Sequence, residues 1–138
     1  MILFVLALLL AGCGGSSPAT PSGPDDPVTW RGARVVGVSP SEAAPILERA
    51  WVRAQRTYGP SDDPVGWTME LSREPIPCPW NNPIGCGGIV DIPGRRVPMW
   101  WGHRAGLEAV AYHEWCHVIR YLTTGDPFGS GCLTLTPR

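Results

Sequence analysis

The chain has 138 residues, 11 basic and 12 acidic side chains and a formal net charge of −1, and all the basic residues are arginine. The arginines form no basic run, so the electrostatic footprint of a nucleic-acid-binding protein is excluded. The length allows one small domain, 17 glycines and 16 prolines make much of it loop, and seven tryptophans supply bulk for a core.

Residues 2–11 are a continuous apolar run. It falls short of the about 20 residues that a membrane-spanning helix needs, and it fits the apolar region of an export signal. Leu10-Ala11-Gly12-Cys13 follows, then Gly14-Gly15-Ser16-Ser17. This stretch resembles the lipobox of bacterial lipoproteins, although no lysine or arginine precedes the apolar run. The resemblance covers residues 1–17. It implies a signal peptide over 1–12, lipid attachment at Cys13, and a lipoprotein anchored to a membrane of the bacterial cell envelope. The alternative is a plain signal peptide with an incidental cysteine. From Cys13 the chain continues to residue 27 in glycine, serine, proline and acidic residues, the composition of a disordered tether. The folded domain is expected over 28–138.

Residues 30–38 read as a first strand. Ser39-Pro40-Ser41-Glu42 reads as a helix start, with Ser39 as N-cap, Pro40 in the first turn and Glu42 three residues after the cap. Ile46, Leu47, Ala50, Trp51, Ala54 and Tyr58 then recur at helical spacing, so a helix is predicted over about 40–58, ended by Gly59-Pro60. Pro45 suggests an irregular first turn. Over 66–71, Trp67, Met69 and Leu71 alternate with Thr68 and Glu70, the pattern of a half-buried strand. Residues 89–92 and 97–101 read as a hairpin around Pro93-Gly94-Arg95-Arg96. A strand in that place could lie along the site described next and pair with an extended peptide; an ordinary edge hairpin is the plainer reading.

Four cysteines remain besides Cys13, and they allow three pairings. Export puts the domain in an oxidising compartment. The most local pairing joins Cys78 to Cys86 and Cys116 to Cys132.

The chemistry concentrates in His113-Glu114-Trp115-Cys116-His117, an H-E-x-x-H sequence. A helix is predicted over about 103–123, apolar on most sides and stopped by Thr124-Gly125-Asp126-Pro127. Residues four apart on a helix lie about 40° apart on one face, so His113 and His117 would offer two imidazoles to one metal ion. Glu114 stands where a carboxylate can take a proton from metal-activated water. His103 reads as a residue of the helix entry or the substrate side.

A secreted α+β chain with strands before an H-E-x-x-H helix resembles the zincin metallopeptidases in minimal form. The resemblance spans about residues 66–126, and its specific part is the five-residue motif. It implies an α+β fold, a small antiparallel or mixed sheet packed on two main helices, and Zn2+ held by His113 and His117 with Glu114 as general base. It further implies hydrolysis of a peptide or protein substrate. Zincin subfamilies differ in a third ligand. No histidine follows His117 and no glutamate follows Glu114, so the aspartate of the aspzincin pattern leaves Asp126 as the candidate. Cys132 as a thiolate is the alternative. Tyr112, Tyr121, His103 and Arg104 are candidate donors to a reaction oxyanion. A second reading keeps the scaffold without catalysis: an envelope lipoprotein that binds metal or a protein partner. The oligomeric state stays open.

Overall fold

The structure, a computed structural model, describes residues 27–79, 85–129 and 131–132. The expected signal peptide, Cys13 and nearly all of the expected tether lie outside the described residues. No helix among the described residues is long and apolar enough to cross a membrane.

The fold is α+β, as expected, and the sheet is mixed. β1 (Val28–Trp30) and β2 (Ala33–Gly37) are antiparallel; β3 (Thr68–Ser72) and β4 (Arg96–Trp100) add in parallel, in the order β1-β2-β3-β4. α1 (Pro40–Tyr58) connects β2 to β3, and α2 (Leu107–Thr124) follows β4. The two helices pack on each other more extensively than any other pair of elements.

The single strand expected over 30–38 is in fact a hairpin. Trp30 pairs with Ala33, leaving Arg31 and Gly32 as a two-residue turn with φ of 49° and 73°. Positive φ at both turn positions is what a tight hairpin demands, and arginine is a poor residue for it. Partners off the turn hold Arg31 there. Its guanidinium meets Glu48 at 2.7 Å and Asp63 at 2.7 Å, and Glu48 also accepts the Trp30 indole N–H at 2.9 Å. None of these partners is visible in a local sequence pattern.

α1 begins at Pro40 as expected, but Ser39 has a left-handed backbone (φ 43°) and its side chain makes no capping bond. The helix is continuous from Pro40 with Pro45 inside it, and does not begin nearer to Pro45, as an irregular first turn would require. α2 begins at Leu107, about one turn later than the expected 103. Residues 103–106 turn instead: the Gly106 N–H donates to the His103 carbonyl at 2.8 Å, and the Ala105 N–H to His103 Nδ1 at 3.2 Å.

The core lies between the sheet and the helix pair. Trp30 from β1, Trp51 from α1 and Trp115 from α2 meet in a mutual cluster, with ring centroids 5.3–5.8 Å apart. The expected inward face of β3 is buried: Trp67, Met69 and Leu71. Val97 and Met99 of β4 join them.

The expected hairpin after residue 88 exists as a short ladder, not as a full strand. Residues 87–91 run antiparallel to β4: the Trp100 N–H donates to the Gly87 carbonyl, the Ile89 N–H to Pro98, and Asp91 and Arg96 bond each other both ways. Gly94 donates its N–H to the Asp91 carboxylate at 3.1 Å, which closes the turn. Both expected disulfides are present, Cys78–Cys86 and Cys116–Cys132.

Candidate metal centre on helix α2

Successive residues of a helix turn by about 100°, so the five motif residues point in four directions. His113 and His117 share one stripe. Trp115 lies about 200° from His113 and points the opposite way, into the tryptophan cluster; its indole N–H donates to the Leu47 carbonyl of α1 at 3.3 Å. Glu114 and Cys116 flank the histidine stripe on its two sides. Each flank is covered by a different segment: 87–91 over Glu114, and the tail after α2 on the Cys116 side.

His113 and His117 are half-buried, and their rings meet edge to face with centroids 5.0 Å apart. Their Nε2 atoms stand 3.4 Å apart. Two imidazole nitrogens bound to one tetrahedral zinc at roughly 2.0–2.1 Å are separated by about 3.3–3.4 Å. The spacing therefore fits one edge of a zinc coordination tetrahedron. His117 Nδ1 lies 2.8 Å from the Pro127 carbonyl. A carbonyl only accepts, so Nδ1 carries the proton and Nε2 presents its lone pair, the tautomer a metal ligand needs.

Among the described residues Glu114 is the one buried charged side chain, with 4% of its surface exposed. It lies against Gly88: a Cβ built there would stand 2.7 Å from Oε1 and 2.8 Å from Cγ. Only glycine lets the 87–91 segment approach this closely. Burial pushes the Glu114 carboxyl up to about 8, so in the metal-free chain it keeps its proton at neutral pH. A divalent cation beside it acts in the opposite sense, favouring the carboxylate.

Asp126 is not brought to the histidines. Its Oδ1 accepts the Phe128 N–H at 3.0 Å, and its Oδ2 lies on the Gly129 side of the turn, near the Arg120 guanidinium. The reason is the helix end. α2 continues to Thr124, Gly125 closes it in the left-handed conformation, and the Asp126 carboxylate is used in ordering the turn itself. Cys132 is not a thiolate ligand, because it is oxidised with Cys116. Among the described residues no third His, Cys, Asp or Glu groups with the pair.

The tail does fold back along α2, and it reaches the site with other groups. The Pro127 carbonyl meets His117, and the Phe128 ring lies 5.7 Å from the His117 ring while remaining 72% exposed. His103 sits at the helix entry, edge-on to Trp100 and against Gly87; burial, then Arg104, lowers its pKa. Tyr112 and Tyr121 are taken up in packing. Tyr112 bonds Thr57 and lies under Arg53, and Tyr121 is edge-on to Trp67. Three contributors escaped the sequence reading: Gly88, Pro127 and Phe128. The Gly87-Gly88 pair was a visible signal of close backbone approach. A backbone carbonyl and an exposed phenylalanine carry none.

Compared with protein-family models, curated proteins and solved structures, the chain matches none.

Proposed function

We propose that this protein is a zinc-dependent peptidase tethered by a lipid on Cys13 to a membrane of the bacterial cell envelope. One observation carries the reading: the 3.4 Å separation of the His113 and His117 Nε2 atoms, with the Pro127 carbonyl fixing the His117 tautomer. When bound, zinc supplies Lewis-acid activation of water and of the scissile carbonyl. His113 and His117 would hold it through Nε2. Glu114 accepts the proton of the attacking water and returns it to the amine as the C–N bond breaks. It would act in its ionised form, which a cation held by the two histidines would favour.

The 87–91 segment supports a peptide substrate. The Gly87 carbonyl, the Ile89 N–H and both backbone groups of Asp91 bond β4, so the alternate residues Gly88 and Val90 turn theirs outward. An extended peptide adding to that edge would pass directly over the motif helix.

A second reading, a lipoprotein that binds metal or a partner without catalysis, is favoured by the cover over Glu114. The carboxylate lies beneath Gly88, and no third ligand comes from the described residues. Two measurements on the full chain in detergent separate the readings. One zinc per chain, lost in His113→Ala, is expected of the peptidase and of a metal-binding lipoprotein, but not of one that binds only a protein partner. Peptide hydrolysis abolished by Glu114→Gln with zinc retained is expected only of the peptidase. Zinc binding without any hydrolysis would leave the second reading.

A further inference from the structure

Beyond the ligands themselves, the structure points to a positioning device for His117. We infer that the Cys116–Cys132 disulfide, acting through the Pro127 carbonyl it holds in place, sets the orientation and tautomer of His117 and thereby the metal affinity of the site. The inference rests on the zinc reading of His117.

The argument begins with what holds the tail. After Gly125 the chain has left the helix, and 127–129 lie outside regular secondary structure. Phe128 is exposed, so apolar burial does little to fix this segment. Its contacts to the motif are the Pro127 carbonyl on His117 Nδ1 at 2.8 Å and the Phe128 ring against the His117 ring. One neutral hydrogen bond returns less than the conformational entropy lost in ordering several residues. The Asp126 carboxylate orders the turn locally by accepting the Phe128 N–H, and the disulfide ties that ordered turn to α2. Cys116 is the residue directly before His117 and is fully buried, so its sulfur is a fixed point on α2. The bond to Cys132 closes a loop with a sequence separation of 16, and that loop contains both His117 and Pro127. The same ligand is thus held by the helix on one side and by the closed loop on the other.

Two consequences follow. Opening the bond takes two electrons and two protons from a dithiol, which is itself oxidised to a disulfide, and yields the Cys116 and Cys132 thiols. The Pro127 carbonyl is then released from His117, and the imidazole is free to populate the Nε2–H tautomer, which cannot bind zinc through Nε2. The site would also mature only after oxidation, which suits an exported chain.

The test uses the full chain in detergent micelles, labelled with 15N-histidine; three histidines make the spectrum simple to assign. Cys132→Ala removes the cross-link and leaves the buried Cys116 side chain in place. The oxidised protein is expected to hold His117 as the Nδ1–H tautomer. In Cys132→Ala, and in wild type treated with dithiothreitol, His117 should shift toward Nε2–H, with zinc affinity 10–100-fold weaker. The paired variant Cys78→Ala/Cys86→Ala should leave both readouts unchanged. An unchanged His117 tautomer after loss of the Cys116–Cys132 bond would overturn the inference. So would a loss of zinc affinity that appears only together with loss of the helical circular dichroism signal, since that is unfolding. If the oxidised chain binds no zinc at all, the zinc reading fails, while the tautomer shift still decides whether the disulfide positions His117.

Discussion

The two faces of α2 are held by different kinds of force. On the face toward α1 and the sheet, Trp115, Val118 and Ile119 are fully buried, and the Trp30–Trp51–Trp115 cluster fixes the helix through many shared contacts. On the outer face, His113 and His117 stand half-buried between two thin covers, the 87–91 ladder and a tail tied by one disulfide. Packing on the first face is over-determined. The described contacts on the second are local ones to these two covers, so that face is where a change alters chemistry with less effect on the fold.

The largest expected effect falls on the packed face. Trp115→Ala empties the centre of the aromatic cluster and removes the indole N–H that it donates to the Leu47 carbonyl. A loss of about 3–5 kcal/mol is expected in chemical denaturation. A loss below about 1 kcal/mol would show that the two faces are not as different as drawn.

Next in size is the buried carboxyl between the faces. Glu114 has a folded pKa of about 8, above its value in the unfolded chain. Between the ordinary carboxylate range and about 8, the folded state holds this proton and the unfolded state has released it. Stability of the metal-free protein is therefore greatest below the unfolded pKa and falls as pH rises through about 8, by an amount on the order of a few kcal/mol. Denaturation curves from pH 5 to 8.5 in a chelator should show this fall, and Glu114→Gln should flatten it. A wild-type curve already as flat as that of the variant would mean that water reaches the carboxylate, and that 87–91 is no real cover.

The cover itself can be tested through Gly88→Ala. The new methyl would stand under 3.0 Å from three Glu114 side-chain atoms, so either the ladder or the carboxylate must move. A destabilisation of about 1–3 kcal/mol is expected, typical of an overpacked contact. A thermal midpoint equal to that of wild type would indicate that 87–91 shifts freely against α2.

The same contrast explains how much could be read in advance. The packed face was legible. Trp67, Met69 and Leu71 alternate on a strand, and the α1 stripe through Leu47, Ala50, Trp51 and Ala54 repeats at helical spacing; all seven are buried. Periodicity reports a face because burial acts on every turn. The H-E-x-x-H spacing likewise gave the shared stripe of His113 and His117. The surroundings of that stripe were not legible, because they depend on groups far apart in sequence or without side-chain identity. Asp126 was the only acid after the motif, yet the turn that carries it uses the carboxylate for its own Phe128 N–H. The Pro127 carbonyl that does reach His117 is a backbone group, which any residue would supply. The Arg31-Gly32 turn was hidden for a related reason: an arginine at positive φ is stabilised by Glu48 and Asp63, 17 and 32 residues away.

The smallest expected effect on stability belongs to the residue that matters most to the proposed chemistry. His113 lies half-buried on the outer face, away from the tryptophan cluster, so truncating it takes nothing from that cluster. In a chelator, His113→Ala should unfold within about 1 kcal/mol of wild type. With zinc present the two should part. A ligand that binds only the folded state stabilises it by RT ln(1 + [L]/Kd), about 2.7 kcal/mol when zinc is at 100 times its dissociation constant. Wild type should gain this and the variant should not, because the remaining imidazole alone does not form the 3.4 Å edge. The paired measurement, denaturation with and without zinc, thus separates a histidine that holds a metal from one that holds the fold. A large loss in chelator with no further difference on adding zinc would place His113 with Trp115 among the packing residues, and the two-face contrast would fail at its central residue.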